Sequence, residues 1–307
     1  MTARRQRGFG ISEVMVALVL GLLVTLTASA MLVGAGGNFQ HHAAHARLND
    51  NGRFALELIG QALRQGSFVN LAEGTAPDDT GEAMVSGFDA ASISRSSPGL
   101  GAPQGGAING SDVLALRFSG SGGGNGDGSA LNCAGFAEAY SGSPAWSIFY
   151  VGISEDGEAE LRCKYRGDGS WSADAIVRGV DSFQVLYGLD TDIPADGTPN
   201  RYLNASAIRA LDDALVLEGS TPSEQAADLR RRTHWKRVAG LRVSLLLHGE
   251  RNSRQWPGDA VYRLFGPAYD APGDAGTVIE EAKWPDELRQ RARRLFEASY
   301  AVRNVQR

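Results

Sequence analysis

The chemistry in this chain is concentrated in a few residues, and the most telling of them is an acid. Glu13 stands inside an apolar run from Ile11 to Val33, just after Arg4-Arg5-Gln6-Arg7-Gly8-Phe9. A carboxylate within a membrane-length helix costs about 2.5–3.5 kcal/mol on insertion scales, and such an acid ordinarily has a partner. No Lys, Arg or His lies between Phe9 and Gln40. A cut between Gly8 and Phe9 would create one, because the new ammonium on Phe9 stands one helical turn before Glu13. The same ammonium on a neighbouring copy would serve equally. An ion pair at the head of an apolar helix would then fix the stagger between packed subunits.

Other reactive side chains form weaker patterns. Cys133 and Cys163 are the two cysteines of the chain. In an exported domain an even pair reads most simply as one disulfide, with two buried thiols as the alternative. Asp190, Asp192 and Asp196 with Gly197 suggest a calcium loop, but Pro194 occupies the place of the third EF-hand ligand. A solvated acidic turn is the stronger reading, and no metal or other cofactor is expected. His41 and His45 share a helical face, without the Glu that would make a metalloprotease pattern. Ser119 to Ser129 is glycine-rich but lacks the Lys-Ser/Thr ending of a phosphate cradle. Arg289, Arg291, Arg293 and Arg294 form either a solvated flank or a surface for a partner or lipid headgroups. No nucleophile motif is present, so nothing points to an enzyme.

The elements that must position these groups follow from length and pattern. Ile11–Val33 exceeds the roughly 20 apolar residues a membrane helix needs. The arginines before it hold the amino terminus in the cytoplasm and send the rest outward. Gly34-Ala35-Gly36-Gly37 is a place for the helix to bend or melt. Asn38 to Gln65 resumes as an amphipathic helix with Leu48, Ala55, Ile59 and Ala62 on its stripe, Phe54 and Leu58 beside it, an Arg53–Glu57 pair and a stop at Gly66. Ser67 to Gly110 reads mainly as loop, and Asp112–Phe118 as a strand. Trp146–Ser154 and Glu158–Arg166 form a hairpin around Asp156-Gly157, with Leu161, Cys163 and Tyr165 inward and Glu160, Arg162, Lys164 and Arg166 outward. Ile176–Leu189 and Val238–His248 are further strands. Ser220–Arg232 is polar helix or loop, Gly249–Glu281 is loop-rich, and Phe296, Ala298, Tyr300 and Val302 share a face of the last strand. With 307 residues, 43% hydrophobic content and a net charge of −5, the chain can build a real core and has no basic block that would make nucleic acid its main partner.

Arg-Gly-Phe, an apolar helix and Glu four residues after the Phe resemble the class III leader of type IV prepilins and pseudopilins. In that family a membrane peptidase cuts after the Gly and methylates the new amino-terminal Phe, which implies cleavage after Gly8, N-methylation of Phe9 and subunit pairing through Glu13. Gly10-Ile11-Ser12 replaces the usual Thr-Leu-Ile. A cleaved secretory signal, with Ala28-Ser29-Ala30 as its site, and a plain anchor are the other readings, and neither has a use for Glu13. Asn51–Leu58, Ser111–Phe118, Val180–Asp190, Arg201-Tyr202, Trp235–Val238 and Ala301–Asn304 further resemble PilW-type minor pilins. That resemblance implies an α+β fold, with a long amino-terminal helix on an antiparallel sheet domain with long loops. It divides the chain into a leader at 1–8, a pilin helix at 9–66 and a periplasmic or extracellular β-rich domain at 67–307. It implies a minor pilin that primes pilus assembly at the tip, among other minor pilins, the major pilin and an adhesin-like protein. Prepilin peptidase and the inner-membrane assembly machinery would be further partners. The chain would sit in the inner membrane with its carboxyl-terminal domain in the periplasm, and outside the cell once assembled. The large tip pseudopilin of type II secretion, or a signal-anchored periplasmic enzyme or binding protein, are the alternatives.

Overall fold

The computed structural model describes residues 8, 10–66, 81–140, 143–167, 169–254, 256–269 and 271–302; for 33–41 it describes the backbone alone. Helix α1 spans Ile11–Gln65. Its backbone stays helical through Gly34–Gly37, where the sequence suggests a break. Each glycine costs about 1 kcal/mol against alanine, but extending an existing helix still adds one hydrogen bond per residue fixed. Gly66 ends the helix with a turn, its N–H donating to Ala62 O at 2.8 Å.

The chain forms two compact units, 1–46 and 47–307. The second holds two antiparallel sheets. Strands β1 (Val85–Phe88), β2 (Val113–Phe118), β3 (Ala145–Ile153), β4 (Ala159–Arg166) and β5 (Trp171–Arg178) make the first sheet in that order. The second has the order β11-β8-β6-β7, from β6 (Val180–Leu189), β7 (Arg201–Leu203), β8 (Val238–His248) and β11 (Arg293–Ala301). Between β7 and β8 lie α2 (Ala205–Asp213) and α3 (Pro222–Arg232), the latter opened by a Thr221/Glu224 capping box. A ribbon of β9 (Val261–Arg263) and β10 (Val278–Glu280) and the short α4 (Asp286–Arg289) precede β11.

The expected single strand over Ile176–Leu189 is two strands in different sheets, joined at Gly179. That residue has a φ of +78°, and a Cβ on it would lie 2.6 Å from His248 O. Here only glycine turns the chain from one sheet to the other without strain. Asp112 fastens the seam. It is fully buried, and its carboxylate accepts from Val185 N at 2.8 Å and from Ala90 N at 3.0 Å. Its own N–H donates to Phe183 O at 2.8 Å. Burial pushes the Asp112 carboxyl well above the usual range, against the pull of the two N–H donors.

One apolar cluster fills the space between the sheets and the second half of α1. Leu114, Leu116, Phe149 and Leu161 meet Phe183, Val185 and Tyr187 there, with Leu241, Val243, Leu245 and Leu247 alongside. Leu48, Ala55, Ile59 and Ala62 join it as the stripe predicts, and Leu63 extends it; Phe54 points to solvent instead. Glu57 pairs with Arg64 at 2.8 Å rather than with Arg53. Two glycines let α1 approach β11 closely. A Cβ on Gly52 would sit 2.4 Å from the Phe296 ring, and one on Gly60 would sit 2.8 Å from Tyr300. Tyr300 also donates its hydroxyl to Leu56 O at 2.6 Å.

Both sheets are covered on their outer faces too, which alternation in the sequence does not reveal. Ala91 and Ile93 lie against Val113, Ala115, Ile148 and Tyr150 of the first sheet. Leu264 and Ile279 cover Leu246 of the second. For that reason β2 is apolar at every position but one, as strands buried on both faces are. Lys164, expected to face water, is completely buried. Its ammonium donates to Ser97 Oγ at 3.2 Å and lies 5.3 Å from the Trp171 ring. Burial pulls its pKa down to about 8.

Two predictions follow from this packing. Gly52→Ala gains about 1 kcal/mol of helix propensity but meets the Phe296 ring, so a net loss of about 1–3 kcal/mol is expected in chemical denaturation. Lys164 holds its proton less tightly folded than unfolded, so stability should rise as pH climbs from about 8 towards 10.5. Lys164→Met should abolish that slope and raise the melting temperature at pH 7, by an amount worth about 1–3 kcal/mol.

Candidate functional site

The first unit presents a bare apolar rod headed by an acid. Ile11–Leu32 is long and apolar enough to cross a membrane, and none of it is covered by protein within the structure. Leu18 is 67% exposed and Met31 76%. A helix apolar on all sides requires lipid or other apolar helices around it. Thr25 and Thr27 turn their hydroxyls back to Leu22 O and to Leu23 and Val24 O, so both spend their polarity inside the helix.

Glu13 sits in the first turn. Its N–H donates to Gly10 O at 3.0 Å, and its carboxylate accepts from Gly10 N at 3.1 Å. The acid therefore satisfies a helix-end donor and lies at the positive end of the helix dipole, where a negative charge is stabilised. Among the described residues no Lys, Arg or His pairs with it. Glu13, Ala17, Gly21 and Thr25 follow at four-residue spacing and line one shallow groove with Val14, Leu18 and Leu22. Gly8 is exposed, and among the described residues nothing lies within 4 Å of a Cβ placed on it. Phe9 and the leader arginines fall outside the described residues.

In the second unit Cys133 and Cys163 are joined as a buried disulfide, with Cα atoms 5.8 Å apart. The bond ties the segment after the glycine-rich loop to the inner face of β4. Asp190, Asp192 and Asp196 do gather, with ligand-type oxygens within 4.8 Å of one another. Their oxygens are engaged by the loop itself. Asp190 accepts from Asp192 N and Gly197 N, Asp192 from Asn200 Nδ2, and Asp196 from Thr198 N. The Gly197 N–H holds the Asp190 carboxyl below its ordinary value. His45 is exposed, and the side chain of His41 lies outside the described residues.

The arginine run is neither a solvated flank nor a free surface. Arg291 and Arg293 are buried in an ion network that closes one end of both sheets. Arg293 Nε donates to Asp181 at 2.7 Å and its Nη1 to Glu281 at 3.1 Å. Arg291 meets Glu158 at 2.5 Å, and His248 stands between Asp181, 2.8 Å from its Nδ1, and Glu158 beside its Nε2. Arg254 and Tyr262 complete the shell of Glu281. Arg289 is partly buried, donating to Gly258 O at 2.6 Å and pairing with Asp286, and of the four Arg294 alone is exposed, over the Phe296 ring. Linear spacing does not reveal this network, because Asp181 and Glu158 lie more than a hundred residues from Arg293 and Arg291, the arginines they meet.

The described histidines and cysteines of the second unit are engaged within the fold. His248 is held by carboxylates, His234 by Asp212 at 2.7 Å, and both cysteines are bonded to each other.

A family model described as type IV pilus-assembly protein W matches residues 148–304, just over half of the chain. A prokaryotic N-terminal methylation motif matches residues 3–29. The chain is also similar to a type IV-like pilin from Thermus thermophilus, at 13% identity and a TM-score of 0.38, over 85% of this chain and 99% of that one. No curated protein matches it.

The ion network yields a prediction of its own. Arg293→Met removes the cation that Asp181 and Glu281 share, leaving them to His248 and Arg254, and the loss in urea denaturation is expected at about 3 kcal/mol. Arg294→Met, on the surface a few ångströms away, is expected to change stability by less than about 0.5 kcal/mol.

Proposed function

Since the chain belongs to the PilW family of type IV pilus-assembly proteins and is a pilin-like minor subunit, we propose that it enters the filament by a purely physical route. Prepilin peptidase cuts after Gly8, and the amine of Phe9 is methylated. Until that cut, Arg4, Arg5 and Arg7 hold the leader on the cytoplasmic side, because drawing such charges through lipid is costly. Cutting removes them and leaves one cation at the head of the helix. That cation pairs with Glu13 of an adjoining subunit, and the groove from Glu13 to Thr25 receives a neighbouring apolar helix.

The second unit then faces outward. Its bulk and long loops suit an end position better than a repeating place in a tight shaft. There it primes assembly with other minor pilins, against the major pilin on one side and an adhesin-like tip protein on the other, drawing on the inner-membrane machinery. The observation that carries this reading is the pairing of an acid in the first helical turn with an apolar span that nothing covers. The family is a structural one.

Glu13→Gln tests the charge pair. The amide oxygen still accepts from Gly10 N, so the helix start survives while the charge is lost. Processing is expected to continue and pilus incorporation to fall about tenfold or more, the factor about 1.4 kcal/mol represents. Incorporation at the wild-type level would remove the pairing step. Gly8→Val is expected to leave the leader attached. Intact-mass measurement should find wild-type chains beginning at methylated Phe9; a start at Met1 or Met31 would overturn the proposal.

A further inference from the structure

Beside the disulfide, the first sheet carries a cleft of about 650 Å³ that the assembly route does not use. Its size falls within the range of small-molecule sites. One wall is aromatic. Phe136, 55% exposed, leans on Tyr165 with ring centroids 5.3 Å apart, and the Tyr165 hydroxyl is fixed by Asp174 at 2.6 Å. Around this face stand Glu138, Arg166 and Asn125, with glycines at 124, 167 and 169 leaving room at the rim.

The wall is built in advance. Buried Asn132 accepts from Phe136 N at 3.2 Å and donates to Glu138 Oε1 at 2.7 Å, so one amide places both the ring and the acid. Cys133 ties that segment to β4 two residues before Tyr165. Asp127 holds the glycine-rich loop through Ser121 and Ser129. Asn125, Phe136 and Glu138 precede the family-matched residues 148–304, while Tyr165 and Arg166 fall within them.

From this geometry we propose that the cleft binds a saccharide, taking one or two neutral, hydroxyl-rich rings. A pyranose has an apolar C–H face that packs on an aromatic ring and an equator of hydroxyls that both donate and accept. The cleft supplies both halves. Phe136 offers the ring, Glu138 accepts, Arg166 donates, and the Asn125 amide does either. Glu138 and Arg166 balance each other's charge, which disfavours phosphates and polyanions. The cleft also lies among loop and turn residues and not along the open side of β5, so it is not shaped for an added peptide strand.

The test uses the full-length chain in lauryldimethylamine oxide, a detergent without a sugar headgroup. Saturation-transfer NMR is read with cellobiose and with N,N′-diacetylchitobiose, each at about 10 mM to detect millimolar binding. The first probe stands for neutral surface glycans and the second for N-acetylated wall polymers, so the preferred one identifies the source. Transfer to the ring C–H protons of at least one is expected. Phe136→Ala and Glu138→Gln should each cut it about tenfold while melting with the wild type. Absence of transfer from both sugars, or transfer unchanged in both variants, would overturn the site. So would a proline-rich peptide that shifts Phe136 where neither sugar does.

Discussion

Asp112 accepts one backbone N–H from β6 and another from the bend that follows β1, and that bridge links the two sheets around the interior of the large unit. Its two oxygens meet Ala90 N and Val185 N, while its N–H reaches Phe183 O. Fully buried, the carboxylate would be expensive without these donors. With them it fixes the first sheet against the second. Gly179 is the matching constraint, since the chain must change sheets there with His248 O almost in contact. The stripe of α1 then has one surface to fill, and Gly52 and Gly60 let it come close enough to do so.

Polar groups do most of the joining elsewhere as well. Asp89 accepts from Ala205 N and Ser206 N and so ties the end of β1 to the start of α2. The buried network of Glu158, Asp181, His248, Glu281, Arg291 and Arg293 closes the far side. The disulfide fastens a long loop that has few apolar residues of its own. Such links suit a domain with extensive loops, because each fixes one geometry where apolar contact alone would accept several. The apolar rod of the first unit works by the opposite rule. It carries almost no polar specification, and its partners must provide its cover.

The two units therefore divide the labour that a filament subunit needs. An uncovered helix with one acid at its head is suited to a shared bundle in which every neighbour is similar. A rigid, cross-linked unit can carry individual surfaces, and the cleft beside Phe136 is one of them. Asn125, Phe136 and Glu138 of that cleft come before the family-matched segment, in loops outside the strands.

What the sequence determined by itself was local. Charge, apolar length and the spacing from Gly8 to Glu13 specified the amino-terminal segment, because membrane insertion and helix geometry act within a few turns. Periodicity likewise found the stripe of α1 and the β3–β4 hairpin, whose partners are close in the chain. Tertiary structure alone decided the burial of Lys164, Arg291 and Arg293, the division at Gly179 and the replacement of the Arg53–Glu57 pair by Glu57–Arg64. Each of those outcomes depends on what covers a face or stands opposite a side chain. Such neighbours are supplied by residues distant in the chain, and no local period records them.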